Sequence, residues 1–75
     1  MSEYMRYSRL TGKKYNTFDC VAIYNLTQAI AYMDNGVLSV DIKIGKNREE
    51  KPILVFYFVK EETKIVFDLW MNHEL

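Results

Sequence analysis

The length, composition and charge of this chain exclude several classes of protein. Its 75 residues are 49% hydrophobic and carry no net charge, which suits one small folded domain and excludes both a disordered chain and a strongly basic nucleic-acid-binding protein. A single cysteine and a single histidine exclude an intrachain disulfide and a zinc site built from these residue types, and they predict a reducing, cytoplasmic setting. No apolar run is long enough to cross a membrane.

Residues 1–14 combine aromatic and basic side chains without a helical period. Two interpretations are open: a mobile basic arm, or a short edge strand that turns back at residues 11–14. Residues 15–75 are then the folded domain. Proteins that bind single-stranded nucleic acid interleave aromatic and basic residues in this way, so nucleic-acid binding is an alternative function for the segment. The residues that would carry it are Arg6, Tyr7, Arg9, Lys13 and Lys14.

Residues 18–24 can be interpreted in two ways, as a strand or as the first part of a longer helix. Their poor helix propensity favours the strand. A helix is predicted over 26–35, because Asn25 can cap its start and Gly36 can end it. The apolar spacing predicts a core-facing stripe, with Tyr32 on the opposite, outward side. The stripe consists of Leu26, Ala29, Ile30 and Met33.

The second half of the chain predicts a hairpin of two strands. Residues 37–44 alternate between apolar and polar types, which predicts a half-buried strand with Leu38, Val40, Ile42 and Ile44 facing the core. Asp41 and its polar neighbours Ser39 and Lys43 are expected to face solvent. A polar loop over 45–51 leads into residues 52–60, an apolar run typical of a strand buried on both faces.

Residues 61–75 are predicted to form the final helix. Its packing face should consist of Ile65, Val66, Leu69 and Trp70, while Phe67 and Met71 lie well round from that face. A helix with apolar residues around so much of its circumference either is wedged into the core or binds a partner.

These elements predict an α+β fold in the order β-α-β-β-α. The strand at 52–60 should lie in the middle of a three-stranded, mainly antiparallel sheet, with both helices on one face and with an extra N-terminal edge strand as an option. The opposite face of the sheet then needs a cover. The N-terminal segment, a second copy of the chain or a target protein are the three candidates.

Several motifs resemble one known family. They are the sequence YNLTQA at 24–29, the spacing from Ala29 to Gly36, the run ILVFYF at 53–58 and the DLW at 68–70. Residues 18–72 thereby resemble short bacterial and phage domains of unknown function that occur on mobile elements of Gram-positive hosts, although the N-terminal segment departs from the family pattern. The resemblance implies a small fold without catalytic residues, and a phage protein that inhibits a host (defence) protein by occluding it.

The sequence therefore favours a non-enzymatic protein-binding module. It contains no glycine-rich phosphate loop, paired carboxylates or metal-ligand spacing, so no catalytic residue, metal, cofactor or small-molecule substrate is predicted. The expected partner is a host protein or a second copy of the chain, as in a homodimer. The predicted interface residues are Tyr32, Tyr57, Phe67 and Met71.

Overall fold

A computed structural model describes residues 4–75 as an α+β fold with two helices and two antiparallel sheets. Its elements, in chain order, are β1 (Met5–Tyr7), β2 (Lys14–Asn16), β3 (Cys20–Ile23), α1 (Leu26–Asp34), β4 (Asp41–Lys46), β5 (Pro52–Val59) and α2 (Lys60–Met71), with a single 3-10 turn (Thr17–Asp19) between β2 and β3. The predicted α+β class is confirmed, but the order differs from β-α-β-β-α because a hairpin of β1 and β2 precedes β3.

The main sheet has three strands in the order β3-β5-β4, and both pairings are antiparallel. The apolar run is therefore the central strand, as predicted, and Phe56 on it lies opposite Ile23 on one side and Ile42 on the other. The strand interpretation of residues 18–24 is confirmed for Cys20–Ile23, and the long-helix alternative is wrong.

Both helices pack on the same face of this sheet, as predicted. Phe56 and Phe58 point into this core, where Ala29 and Tyr32 of α1 and Val66 of α2 cover them. The Tyr32 and Phe58 rings meet edge to face with centroids 5.3 Å apart.

The outward placement predicted for Tyr32 is wrong, since only 1% of its surface is exposed. Its burial is tolerated because the Gln28 Nε2 group donates a 2.8 Å hydrogen bond to the phenolic oxygen. The helix is rotated accordingly, so Leu26 and Ile30, which were expected in the core, are exposed. At its end Gly36 adopts the left-handed conformation (φ 89°), and the N–H of Val37 bonds back to the Tyr32 carbonyl.

The strand predicted from residue 37 begins only at Asp41. Residues 37–40 form a connection in which Leu38 is exposed and Ser39 is buried, the reverse of the prediction. Ser39 is held inward because its hydroxyl donates to the carbonyl oxygens of Asp41 and Tyr57. Asp41, expected to face solvent, is buried as well.

The final helix ends at Met71, four residues before the predicted end, and its inward face consists of Thr63, Val66 and Trp70. Ile65 was predicted to pack inward, but it is 75% exposed. Because α2 follows β5 without a loop, the direction in which the strand ends sets the rotation of the helix. Thr63 can face inward because its hydroxyl donates to the Lys60 carbonyl.

The N-terminal segment forms a hairpin of its own. Arg6 on β1 lies opposite Tyr15 on β2, and neither strand joins the three-stranded sheet. Residues 4–14 are therefore not an unstructured arm. A short strand does turn back onto the residues that follow it, as in the second interpretation, but it pairs with β2 and not with the main sheet, and the domain boundary predicted at residue 14 divides the hairpin. Residues 1–3 of the predicted arm lie outside the described residues.

Candidate partner-binding surfaces

The N-terminal hairpin covers the second face of the main sheet, which is the face opposite the helices. The Tyr15 and Tyr57 ring centroids are 6.3 Å apart, and Val55 beside them is buried. The N-terminal segment, one of the three predicted candidates, is therefore what covers this face in the structure.

A buried carboxyl group joins this hairpin to the sheet. Asp41 accepts a 2.5 Å hydrogen bond from the Tyr15 hydroxyl and a 3.3 Å bond from the Ser8 hydroxyl. It also accepts a 3.0 Å bond from the backbone N–H of Ile42. The Ser8 hydroxyl in turn accepts from the N–H groups of Leu10 and Thr11, so the turn between β1 and β2 is tied to the same carboxyl group.

Alkaline pH is expected to weaken this attachment. Burial, followed by the hydrogen bond to Asp41, raises the pKa of Tyr15 above its ordinary value of 10.0. Since the folded pKa is the higher one, the contribution of Tyr15 to stability is complete below pH 10.0 and is lost as the pH rises through the folded pKa. The free energy of unfolding of Tyr15→Phe should therefore fall less steeply above that pH than that of the wild type, and parallel curves would contradict the assignment.

The four predicted interface residues do not form one surface. Tyr32 is in the core and is not accessible to a partner. Tyr57 is half-buried under the hairpin, with the Lys43 Nζ atom 5.6 Å from its ring centroid. Phe67 and Met71 are exposed on α2, on the other side of the sheet. Met71 also lines a shallow hollow of about 410 Å³ at the end of that helix.

The five residues predicted for nucleic-acid binding are all exposed and lie in the N-terminal hairpin or its turn. The structure brings two of them, Tyr7 and Arg9, to a groove whose other wall is β4. Lys13 and Lys14 do not line this groove, and neither does Arg6. The basic and aromatic residues are therefore spread over the hairpin and do not form a single row.

The groove follows the outer edge of β4. It has a volume of about 550 Å³, and four consecutive residues of the strand, 41–44, line it. Side chains of consecutive strand residues point to opposite faces, so a groove bordered by all four runs along the edge of the strand rather than over one face. Among residues 4–75, no strand pairs with this edge.

An exposed apolar pair adjoins the groove. Ile44 on β4 and Leu54 on β5 lie directly opposite each other on the helix side of the sheet, beyond the part that the helices cover. They are 77% and 48% exposed. Sequence reasoning missed this pair because the alternation that placed Ile44 on the apolar face does not show how far the helices reach.

The potential metal-ligating and nucleophilic side chains of the described residues are scattered over the fold. Residues 4–75 hold no cluster of three or more His, Cys, Asp or Glu side chains that could bind a metal ion. Burial raises the pKa of the Cys20 thiol, with a further contribution from the charge of Asp19, and so lowers its nucleophilicity at neutral pH. Within the same residues, neither helix combines the length and the apolarity needed to span a membrane.

Comparisons of the chain with protein-family profiles, with curated proteins and with solved structures find no match. The resemblance of residues 18–72 to phage and mobile-element domains therefore stays a prediction.

Proposed function

We propose that this chain is a non-enzymatic protein-binding module that presents the edge of β4 to its partner. The observation that carries the proposal is the Ile44–Leu54 pair, two large apolar side chains that lie side by side next to an unpaired strand edge. Single exposed apolar residues are common on protein surfaces, but a cross-strand pair beside a free edge provides both apolar area and backbone hydrogen-bonding groups.

The geometry of this surface supports binding rather than chemistry. Ile42, next to Ile44 on the same face, is half-buried against the core, so the apolar surface is continuous with the rigid interior of the domain. A rigid surface loses little conformational entropy on association, which favours affinity. As part of the proposal, the chain inhibits a host protein by occupying the surface that this protein needs for its own contacts.

Binding of a partner is expected to depend on Ile44 and not on an equally exposed isoleucine elsewhere. Ile44→Asp places a charge in the apolar surface. Ile65→Asp makes the same change on α2 and is a matched control, because the Ile65 side chain is 75% exposed and that of Ile44 is 77% exposed. The three proteins would be immobilised and used to capture proteins from lysates of Gram-positive bacteria, the hosts that the resemblance implies. We expect capture by wild type and Ile65→Asp, and loss of capture by Ile44→Asp.

Two results would contradict this proposal. In one, no protein is captured by any bait and light scattering shows no complex. In the other, Phe67→Asp or Met71→Asp abolishes capture while Ile44→Asp does not, which places the interface on α2. Light scattering of the chain alone tests the homodimer, because a dimer built on this surface should dissociate in Ile44→Asp.

A further inference from the structure

We infer that the partner supplies an extended segment of alternating acidic and apolar residues, which adds to the free edge of β4 as a fourth strand of the main sheet. This inference rests on the proposed function and specifies its partner. It depends on three features of the groove: the backbone groups along the edge, the apolar side chains on one face and the basic side chains on the other.

The hydrogen-bonding pattern of β4 shows which backbone groups point outward. The N–H of Asn47, just past β4, donates to the Lys51 carbonyl, its partner in the same register. Lys46 lies opposite Pro52, which has no N–H to donate. Since bonded and outward-facing residues alternate in an antiparallel pair, the odd-numbered residues of β4 bond to β5.

The even-numbered residues therefore turn their N–H and C=O groups to the free edge. The N–H of Ile42 fits this pattern, because it donates a hydrogen bond to the Asp41 side chain. Ile44 and Lys46 are left with outward-facing N–H and C=O groups that an added strand can pair with.

The two faces of the edge specify the side chains of the added strand. Ile42 and Ile44 border it on the helix side, where an apolar side chain of the partner would be buried. Lys43 borders it on the hairpin side, and Arg9 stands on the opposite wall of the groove. Asp41 is the one acidic residue of the lining, and its carboxyl group is already occupied by three hydrogen bonds.

This arrangement predicts that the added strand carries acidic residues on the hairpin side of the sheet and apolar residues on the helix side. A second copy pairing antiparallel through the same edge fits poorly, because it would bring the Lys43 side chains of both copies close together on the hairpin side of the joined sheet. Nucleic acid fits poorly as well, since its phosphate backbone offers no donors for the outward carbonyl groups of β4 and, among the described residues, only two basic ones, Arg9 and Lys43, line the groove.

The test selects binders from a displayed library of random peptides and measures their affinity for matched variants. We expect the selected peptides to alternate acidic and apolar residues. Ile44→Pro removes an outward N–H at an edge position where proline is tolerated, and it should weaken binding about tenfold, against about twofold for Ile44→Val. Lys43→Glu should weaken binding about tenfold at low salt, whereas Lys64→Glu on α2 should leave it unchanged.

Hydrogen exchange in the wild-type protein provides the measurement that needs no variant. In the free chain the amides of Ile44 and Lys46 should exchange faster than those of Lys43 and Gly45, and a bound peptide should slow them. Protection of these two amides on binding supports the added strand. Unchanged exchange with a tightly bound peptide overturns it.

The remaining outcomes separate this inference from the proposed function. The added strand would be refuted if the selected peptides were not acidic and bound Ile44→Pro as tightly as Ile44→Val. In that case, capture of a protein that depends on Ile44 would still support a protein-binding module. Absence of both selected peptides and captured proteins would refute both. A third outcome would make nucleic acid the partner in place of a peptide. In it, no peptide is selected, and a single-stranded oligothymidylate binds in a salt-dependent way that Arg9→Glu abolishes.

Discussion

Replacing Phe58 with alanine is expected to unfold the protein at room temperature. Phe58 is fully buried at the centre of the main sheet, between Val21 of β3 and the ring of Tyr32. Truncation of a buried phenylalanine costs about 3–5 kcal/mol. A single hydrophobic core in a chain of this size rarely supplies more than about 3–5 kcal/mol of net stability, so the loss equals the whole of it.

Phe67→Ala is the matched control, because it makes the same change at an exposed position of α2. Its effect on stability should be within about 1 kcal/mol of zero. Thermal unfolding followed by far-UV circular dichroism distinguishes the two variants. Cooperative unfolding of Phe58→Ala near the wild-type midpoint would show that the core does not depend on this ring.

The sequence predicts the main sheet well because its central strand leaves few alternatives. The run from Pro52 to Val59 is too short for a membrane span and too rich in β-branched and aromatic residues for a helix. Asn25 and Gly36 likewise determine where α1 lies, since a cap and a left-handed glycine are local requirements of the backbone. Features that depend on local chemistry were therefore predicted correctly.

The rotation of each helix about its axis could not be predicted in the same way. Tyr32 and Ile65 were assigned to the wrong sides, because an apolar stripe broader than half the helix is compatible with several rotations. The choice is made by tertiary contacts, such as the bond from Gln28 to Tyr32 and the direct passage from β5 into α2. Neither contact leaves a periodic signal in the sequence.

The candidate site was missed for a related reason. A free strand edge depends on what the rest of the chain leaves uncovered, and the N-terminal hairpin covers the face that the sequence had left open. The polar residues that attach this hairpin, Ser8 and Asp41, look like turn and surface residues when only their neighbours in sequence are considered. Their partner atoms lie 33 positions apart in the chain.

Asp41→Ala is expected to detach the N-terminal hairpin from the sheet while leaving the helix-side core intact. The change removes the acceptor for the Tyr15 and Ser8 hydroxyls and for the Ile42 N–H. Leaving a buried donor without an acceptor costs about 1–3 kcal/mol, so the three donors together should weaken the attachment of the hairpin by at least about 3 kcal/mol. Asp34→Ala, at an exposed position near the end of α1, is the control and should change stability by no more than about 0.5 kcal/mol.

Hydrogen exchange locates the damage within the molecule. In Asp41→Ala the amides of Ser8 and Gly12, which bond across the hairpin turn, should lose nearly all protection, while those of Phe56 and Phe58 stay protected to the level of the remaining global stability. A double-mutant cycle with Tyr15→Phe should give a coupling energy of about 1–2 kcal/mol, because both changes remove the same hydrogen bond. Additive effects would mean that the Tyr15–Asp41 bond does not hold the hairpin.

The same variant connects the stability of the hairpin to binding at the groove. Tyr7 and Arg9 form the wall opposite β4, and they stand there only while the hairpin is attached. An acidic peptide that pairs with β4 should therefore bind Asp41→Ala more weakly than wild type and become less sensitive to Arg9→Glu, since detachment removes Arg9 from the groove. If Arg9→Glu weakened binding equally in both backgrounds, the hairpin would contribute to binding without being held by Asp41.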